Sequence, residues 1–153
     1  MNVEQVDVRC LGPSDVTNMR RLIAIFSDAF DDPDSYLDRP PSDGYIKEFL
    51  ERSDAFSIVA EVANSIVGGL VAYVLTKFEQ ERAEIYIYDL AVLDGYRRRG
   101  IATALIRELQ RRSAAIGAYV IFVQADLGDD GAIALYESLG RREDVLHFDI
   151  DVE

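Results

Sequence analysis

Cysteine is almost missing from this chain: Cys10 is the only one in 153 residues. No internal disulfide can form, which fits a reducing compartment. Histidine is as scarce, with His147 alone, so the His and Cys clusters that hold transition metals lack their material. No stretch approaches the roughly 18 consecutive apolar residues that a membrane helix needs. Residues 1–10 carry charges where an export signal carries its apolar region, and the expected location is therefore the cytoplasm. Basic residues are in deficit, 16 Lys and Arg against 28 Asp and Glu. The net charge of −12 opposes nucleic acid, whose binding depends on Lys and Arg displacing counterions. Internal repeats, low-complexity tracts and linkers are also missing. These absences leave one domain over residues 1–153, with neither nucleic acid nor membrane as a partner.

What is present is a globular composition, 49% hydrophobic and 29% charged. Its charge is uneven: residues 97–112 hold six Arg and one acid, a local +5 that leaves −17 for the remainder. One region suits an anion and the rest of the surface suits a cation. Val3 to Leu11 reads as a strand ended by Gly12-Pro13, and Ser14 or Asp15 caps a helix whose Val16, Met19, Leu22, Ile23, Phe26 and Phe30 recur at helical spacing. Residues 31–42, with Pro33, Pro40 and Pro41, read as a loop before a short helix over Tyr45 to Leu50. Phe56 to Val62 and Ile66 to Thr76 read as strands joined by a hairpin at Asn64-Ser65, and Glu84 to Val92 as the next strand. A helix follows Gly100 and ends at Gly117, and Tyr119 to Ala125 has the apolar character of a central strand. A helix over Gly131 to Leu139, capped by Asp129 or Asp130, and an alternating strand over Val145 to Val152 complete the chain.

The richest local signal is Arg97-Arg98-Arg99-Gly100-Ile101-Ala102, between a strand and a helix. Phosphate oxygens need several N–H donors in one concavity, and a helix start offers unpaired N–H groups and the positive end of its dipole. Gly100 leaves the backbone open to approach. An exposed basic helix start without a ligand would look the same locally; its position after a carboxylate-bearing strand favours a diphosphate site.

With these elements in order, the chain resembles the GNAT superfamily of N-acetyltransferases. The superfamily's acetyl-CoA signature, Arg or Gln, two residues, Gly, one residue, then Gly or Ala at a helix start, is met by Arg97, Gly100 and Ala102. A second mark, Ala-x-x-Leu-Tyr-x-x-x-Gly, is met by Ala132, Leu135, Tyr136 and Gly140. The segments Ala72 to Leu75, Lys77 to Gln80, Glu84 to Val92, Gly117 to Val120 and His147 to Asp151 are similar to those of the small aminoglycoside 3-N-acetyltransferases of the gentamicin-resistance type. Residues 31–42 depart from that likeness. The resemblance implies an α/β (α+β) GNAT fold: a mixed, mostly antiparallel sheet flanked by helices, with a bulged central strand beside acetyl-CoA. It further implies acetyl transfer from acetyl-CoA to the 3-amino group of the deoxystreptamine ring in a ternary complex, and a possible homodimer. A polyamine, another small amine or a protein N-terminus is the alternative acceptor, and a non-catalytic acetyl-CoA-binding module the alternative class.

Amide formation needs a neutral amine, a polarised carbonyl and a proton for the thiolate. Asp89 is the candidate base, near a bulge expected at Leu90 to Val92; period-two alternation puts it on the face opposite Glu84, a substrate contact or structural charge. A carboxylate paired with an arginine is the alternative for Asp89. Backbone N–H groups of Leu90, Ala91 and Val92 are candidates for the acetyl carbonyl, with Arg97, Arg98, Arg99, Gly100, Ile101 and Ala102 for the diphosphate. Tyr136 is the candidate proton donor, or else a core tyrosine. A polycationic aminoglycoside needs carboxylates and contacts around its rings; Tyr88, Glu79, Glu84, Asp126 and Asp149 are the candidates.

Overall fold

Amphipathic segments of this chain close on both faces of one sheet. The computed structural model describes residues 4–153; the part of the expected first strand before residue 4 lies outside them. The elements are β1 (Val6–Cys10), α1 (Val16–Phe30), α2 (Pro33–Leu37), α3 (Asp43–Glu51), β2 (Ala55–Val62), β3 (Ser65–Thr76), β4 (Ala83–Val92), α4 (Ile101–Ala115), β5 (Ala118–Val123) and α5 (Asp130–Leu139). The sheet order is β1-β2-β3-β4-β5. All neighbours are antiparallel except β4 and β5, which run parallel. This is the mixed, mostly antiparallel sheet that the resemblance implies.

Alternation along the strands divides the core. On one face Ile58, Leu70, Ile85 and Ile87 pack under Leu105 and Leu109 of α4. On the other, Val59, Val71 and Ala91 meet Leu22, Ile25 and Phe26 of α1, and Ile46 of α3. Gly69 lets α1 come close: a Cβ there would sit 2.6 Å from Leu22 Cδ1 and 2.7 Å from Ile58 O. Leu22 is wholly buried as a result.

The structure corrects the sequence reading in six places. Residues 33–37 form a helical turn, not a loop, because Pro33 stands at its start and the Asp32 carboxylate accepts from Ser35 N–H. The β2–β3 turn is Ala63-Asn64, both at positive φ, with Val62 paired to Ser65. The bulge in β4 lies at Tyr88: Val71 pairs with Asp89 and Ala72 with Ile87, so Tyr88 is the extra residue. One extra residue reverses the alternation beyond it, so Glu84 and Asp89 share the α1/α3 face instead of lying on opposite ones. β5 is an edge, with no residue fully buried. The expected strand over Val145 to Val152 is also unformed: residues 141–153 are exposed and outside any sheet, since within this chain the segment meets no strand to pair with.

Candidate active site

The Arg97 to Ala102 loop lies between a strand and a helix, where its sequence places it. β4 ends at Val92, a single 3₁₀ turn spans Asp94–Tyr96, and α4 begins at Ile101. Arg98 and Gly100 both lie in the left-handed region, at φ 62° and 77°, which turns successive N–H groups inward. A Cβ at Gly100 would meet nothing within 4 Å; among the protein's own atoms, the positive φ is what favours glycine here, rather than space. The first helical bond of α4 runs from Ala104 N–H to Gly100 O at 2.9 Å. The N–H groups of Ile101, Ala102 and Thr103 precede it and are free for an anion. Arg97 is anchored, its Nε on Val92 O at 3.3 Å and its Nη1 on Asp94 at 3.2 Å. Arg99 pairs with Glu4, and Arg111 and Arg112 share Glu108, so among the described residues Arg98 and Arg107 are the arginines of this segment without an ion pair.

A gap opens beside this loop. β4 and β5 pair only as far as Ile87 and Val123, and over Asp89 to Val92 β4 is paired with β3 alone. Leu93 N–H donates to Val67 O on β3 at 2.8 Å. Alternation then points Ala91 N–H to β3 and the N–H groups of Leu90 and Val92 into the gap. Two backbone donors therefore face the space between the splayed strands, a suitable position for a carbonyl oxygen that gains negative charge.

Asp89 stands at the same gap on the α1/α3 face. Its Oδ2 accepts a 2.7 Å hydrogen bond from Tyr36 Oη, and burial raises its pKa above the ordinary carboxylate range while the Tyr36 bond partly offsets the rise. Tyr36 belongs to α2 and is held by Phe26 and Phe30, with ring centroids 6.2 and 6.0 Å away. Desolvation and Asp89 push its own pKa upward, so it remains a donor. Sequence reasoning did not find Tyr36: 53 residues separate it from Asp89, and only the Asp32 cap and Pro33 signal the turn that delivers it. Together with Tyr45, Tyr73 and Tyr88 the pair lines a cleft of about 220 Å³ in which Asp89 is the one carboxylate. Replacing Tyr36 by Phe should raise the Asp89 pKa further, because the bond that stabilises its charged form is lost. The acid limb of the kcat/KM profile should then move to higher pH, with several-fold lower activity at pH 6 and near-normal activity at pH 9; an unmoved limb would separate Tyr36 from Asp89.

Tyr136 lies on α5 and packs against the α4-side core. Burial and nearby Asp129 push its pKa up to about 12. The other candidates are dispersed. Glu84 is engaged by Tyr119 Oη and lies 3.7 Å from Lys77; it stands five residues along the strand from Asp89, at most about 16 Å away at about 3.3 Å per residue. Glu79 is paired with Lys77 and Arg82 in the preceding turn. Tyr88 lines the Asp89 cleft. Asp126 is exposed in the β5–α5 loop, and Asp149 is exposed in the terminal segment, 2.9 Å from His147. Among the described residues no group of His, Cys, Asp and Glu is placed to hold a metal ion, and no helix is long and apolar enough to cross a membrane.

Residues 19–140 match the acetyltransferase (GNAT) family model. The chain belongs to the GNAT acetyltransferase family. An aminoglycoside acetyltransferase from an uncultured soil metagenomic sample is 53% identical to this GNAT enzyme, with a TM-score of 0.95 over 97% of this chain and 99% of that one. That share reaches past residue 140 into the stretch after α5. A second soil metagenomic aminoglycoside acetyltransferase, solved with sisomicin, is 31% identical, with a TM-score of 0.89 over 97% of both chains. An N-alpha-acetyltransferase of Sulfurisphaera tokodaii is 27% identical over 65% of this chain. The chain spans just under two thirds of the curated relatives it matches, 64% and 62%. As a GNAT acetyltransferase it uses acetyl-CoA as cosubstrate. The free N–H groups at the α4 start fit the cosubstrate's diphosphate, and those of Leu90 and Val92 fit its thioester carbonyl.

Proposed function

We propose that this GNAT enzyme acetylates an amino group of an aminoglycoside, at the 3-position of the deoxystreptamine ring, and that Asp89 receives the proton of the attacking amine. The observation that carries this reading is the half-buried Asp89 carboxylate, bonded to Tyr36, at the point where β4 leaves β5. The 53% identity to an aminoglycoside acetyltransferase over nearly the whole chain supports the substrate class. The test is thiol release from acetyl-CoA against a panel of aminoglycosides and polyamines, with the acetylated nitrogen located by NMR. Turnover confined to polyamines removes the aminoglycoside assignment; acetylation at a 6′-amine removes the 3-position alone.

Direct attack in a ternary complex requires no covalent enzyme intermediate. Asp89 holds the incoming ammonium and takes its proton, and its raised pKa brings it nearer to an effective base than an exposed aspartate. Leu90 and Val92 N–H groups bind the carbonyl oxygen as it gains negative charge. Tyr136, with its pKa up to about 12, keeps its proton throughout the physiological range. Donating a hydrogen bond to the departing thiolate is easier for it than full transfer, since a free thiol is the stronger acid. Tyr136→Phe should lower kcat about tenfold with little change in KM, the value of one hydrogen bond to a charged group. Normal turnover with a reduced melting temperature would instead mark Tyr136 as a packing residue.

One observation favours a second reading, a small or N-terminal monoamine. The cleft beside Asp89 is aromatic and carries a single carboxylate, whereas a polycation calls for several.

A further inference from the structure

Aromatic rings crowd the cleft beside Asp89, and they come from three separate elements: Tyr45 and Phe49 from α3, Tyr73 from β3 and Tyr88 from the bulge of β4. Tyr73 stands nearly perpendicular to two of them, at 86° to Tyr88 with ring centroids 5.9 Å apart and at 80° to Phe49 with centroids 6.0 Å apart. Two rings at a right angle border one corner with both of their electron-rich faces. Packing does not account for the arrangement, because Tyr88 and Tyr45 remain 63% and 66% exposed. Nor does a cation of the chain fill the corner. Among the described residues the cations set over rings are Arg82 on Tyr119 and Arg99 on Tyr96. Arg52, whose charge acts on the Tyr73 hydroxyl, is held by Asp54 at 2.8 Å. Burial, with Tyr88, Tyr45 and Asp89 nearby, pushes the Tyr73 pKa upward, so its ring stays neutral. The corner therefore offers a π face and not a phenolate.

We propose that the corner between Tyr73 and Tyr88 binds a second, non-reacting ammonium group of the acceptor by cation–π attraction, and that it selects alkylated ammonium groups over bare ones. Asp89 is taken by the reacting amine, and no other carboxylate lines the cleft. A further positive charge on the acceptor accordingly meets rings where a carboxylate would otherwise be expected. A cation within about 6 Å of a ring centroid is attracted by the ring quadrupole. Alkyl groups lower the cost of taking the charge out of water, and their C–H surface packs on the ring faces. Bare ammonium groups hold their hydration more strongly and gain less. The net charge of −12 draws polycations from a distance without choosing among them; the corner chooses at contact. That the bound group is the acceptor's second one rests on Asp89 taking the reacting amine. The affinity of the corner for an alkylated ammonium does not.

Choline and its neutral isostere 3,3-dimethylbutan-1-ol test the corner without turnover, since they share a shape and differ in charge. Titrated into the protein with CoA bound, at matched ionic strength, choline should bind about tenfold more tightly than the alcohol. Saturation of the tyrosine ring protons should pass to the choline methyl groups. Equal affinity for the two would show a merely apolar cleft and overturn the proposal, as would choline without ring contact. Tyr73→Leu should remove choline binding, and Tyr73→Phe, which keeps the π face, should restore it. Choline binding retained in Tyr73→Leu and lost in Asp89→Asn would place the cation on the carboxylate and overturn the role of the rings. If Tyr73→Leu does not fold, Tyr88→Leu, whose side chain is mostly exposed, takes its place, and the two ligands compared on the unmodified protein still decide.

With turnover the effect falls on KM. A non-reacting ammonium is held equally in the ground and transition states, so Tyr73→Leu should raise KM about tenfold for acceptors with two or more amines, with kcat within about twofold of wild type. Asp89 variants should show the opposite split. Tyr73→Phe should bring KM back to within about threefold of wild type, since the ring face and not the hydroxyl holds the cation. A monoamine acceptor lacks the second charge, and its KM should not respond to Tyr73→Leu. A KM that rises alike for monoamines and polyamines, or a loss confined to kcat, would make Tyr73 a wall of the reacting-amine site and overturn the second-ammonium role. Failure of every aminoglycoside to turn over, with choline still held on the rings, would remove the substrate assignment and leave the corner in place.

Discussion

Asp89→Asn should lower kcat by the roughly 10²- to 10⁴-fold typical of a general base, while the affinity for acetyl-CoA stays within about twofold of wild type. The amide keeps the shape of the carboxylate and can still accept the Tyr36 hydrogen bond, so the cleft around it need not move. It loses only charge and basicity. The acid limb of the pH profile should disappear with it, because that limb reports an Asp89 titration that burial has raised. A stability consequence runs the other way. An acid whose folded pKa lies above its unfolded value binds more protons when folded, so it loses stability as pH rises from the unfolded pKa through the folded one. Above that window the wild type carries the full cost of an ionised, half-buried carboxylate, and asparagine does not. The variant should therefore melt at the same temperature or higher at pH 8, a trade of stability for function. Retained activity from pH 6 to 9 would remove Asp89 as the base. A lower melting temperature at pH 8 would show that the charge serves the fold.

What the sequence makes legible here is local, and what it hides is relational. The Arg97 to Ala102 loop, the α4 and α5 helices and the strands through β4 can be read because caps, glycines and periodicity lie within a few residues of each other. The bulge at Tyr88 is different: it is a count between β3 and β4, and nothing in Glu84 to Val92 alone shows which residue is supernumerary. That single residue sets which face Asp89 shares and which N–H groups enter the gap. Tyr36 shows the same limit, since it reaches Asp89 only after α1, α2 and the sheet have packed. The terminal segment is the opposite case. Its alternation is plain in the sequence, but the strand it indicates has no partner within the chain. Period two identifies a half-buried strand without saying against which molecule it is buried.

Gly100→Glu should weaken CoA binding by about 10²- to 10³-fold with the fold retained. The carboxylate enters beside the N–H groups of Ile101, Ala102 and Thr103, where a diphosphate held by those groups would lie. Two unit charges about 4 Å apart at an effective dielectric near 20 repel by about 4 kcal/mol, which corresponds to the upper end of that range. Backbone strain adds to the effect, because Gly100 stands at φ 77° and an L-residue there costs about 1–2 kcal/mol. Gly100→Ala separates the two contributions: it meets nothing within 4 Å and carries the strain without the charge. Alanine should thus lower the melting temperature about as much as glutamate does, yet bind CoA within about tenfold of wild type, the factor that roughly 1.4 kcal/mol represents. Titration calorimetry with CoA, alongside melting without ligand, measures both. If alanine and glutamate weaken CoA equally, conformation rather than charge governs the loop. If neither does, the diphosphate does not bind at the start of α4.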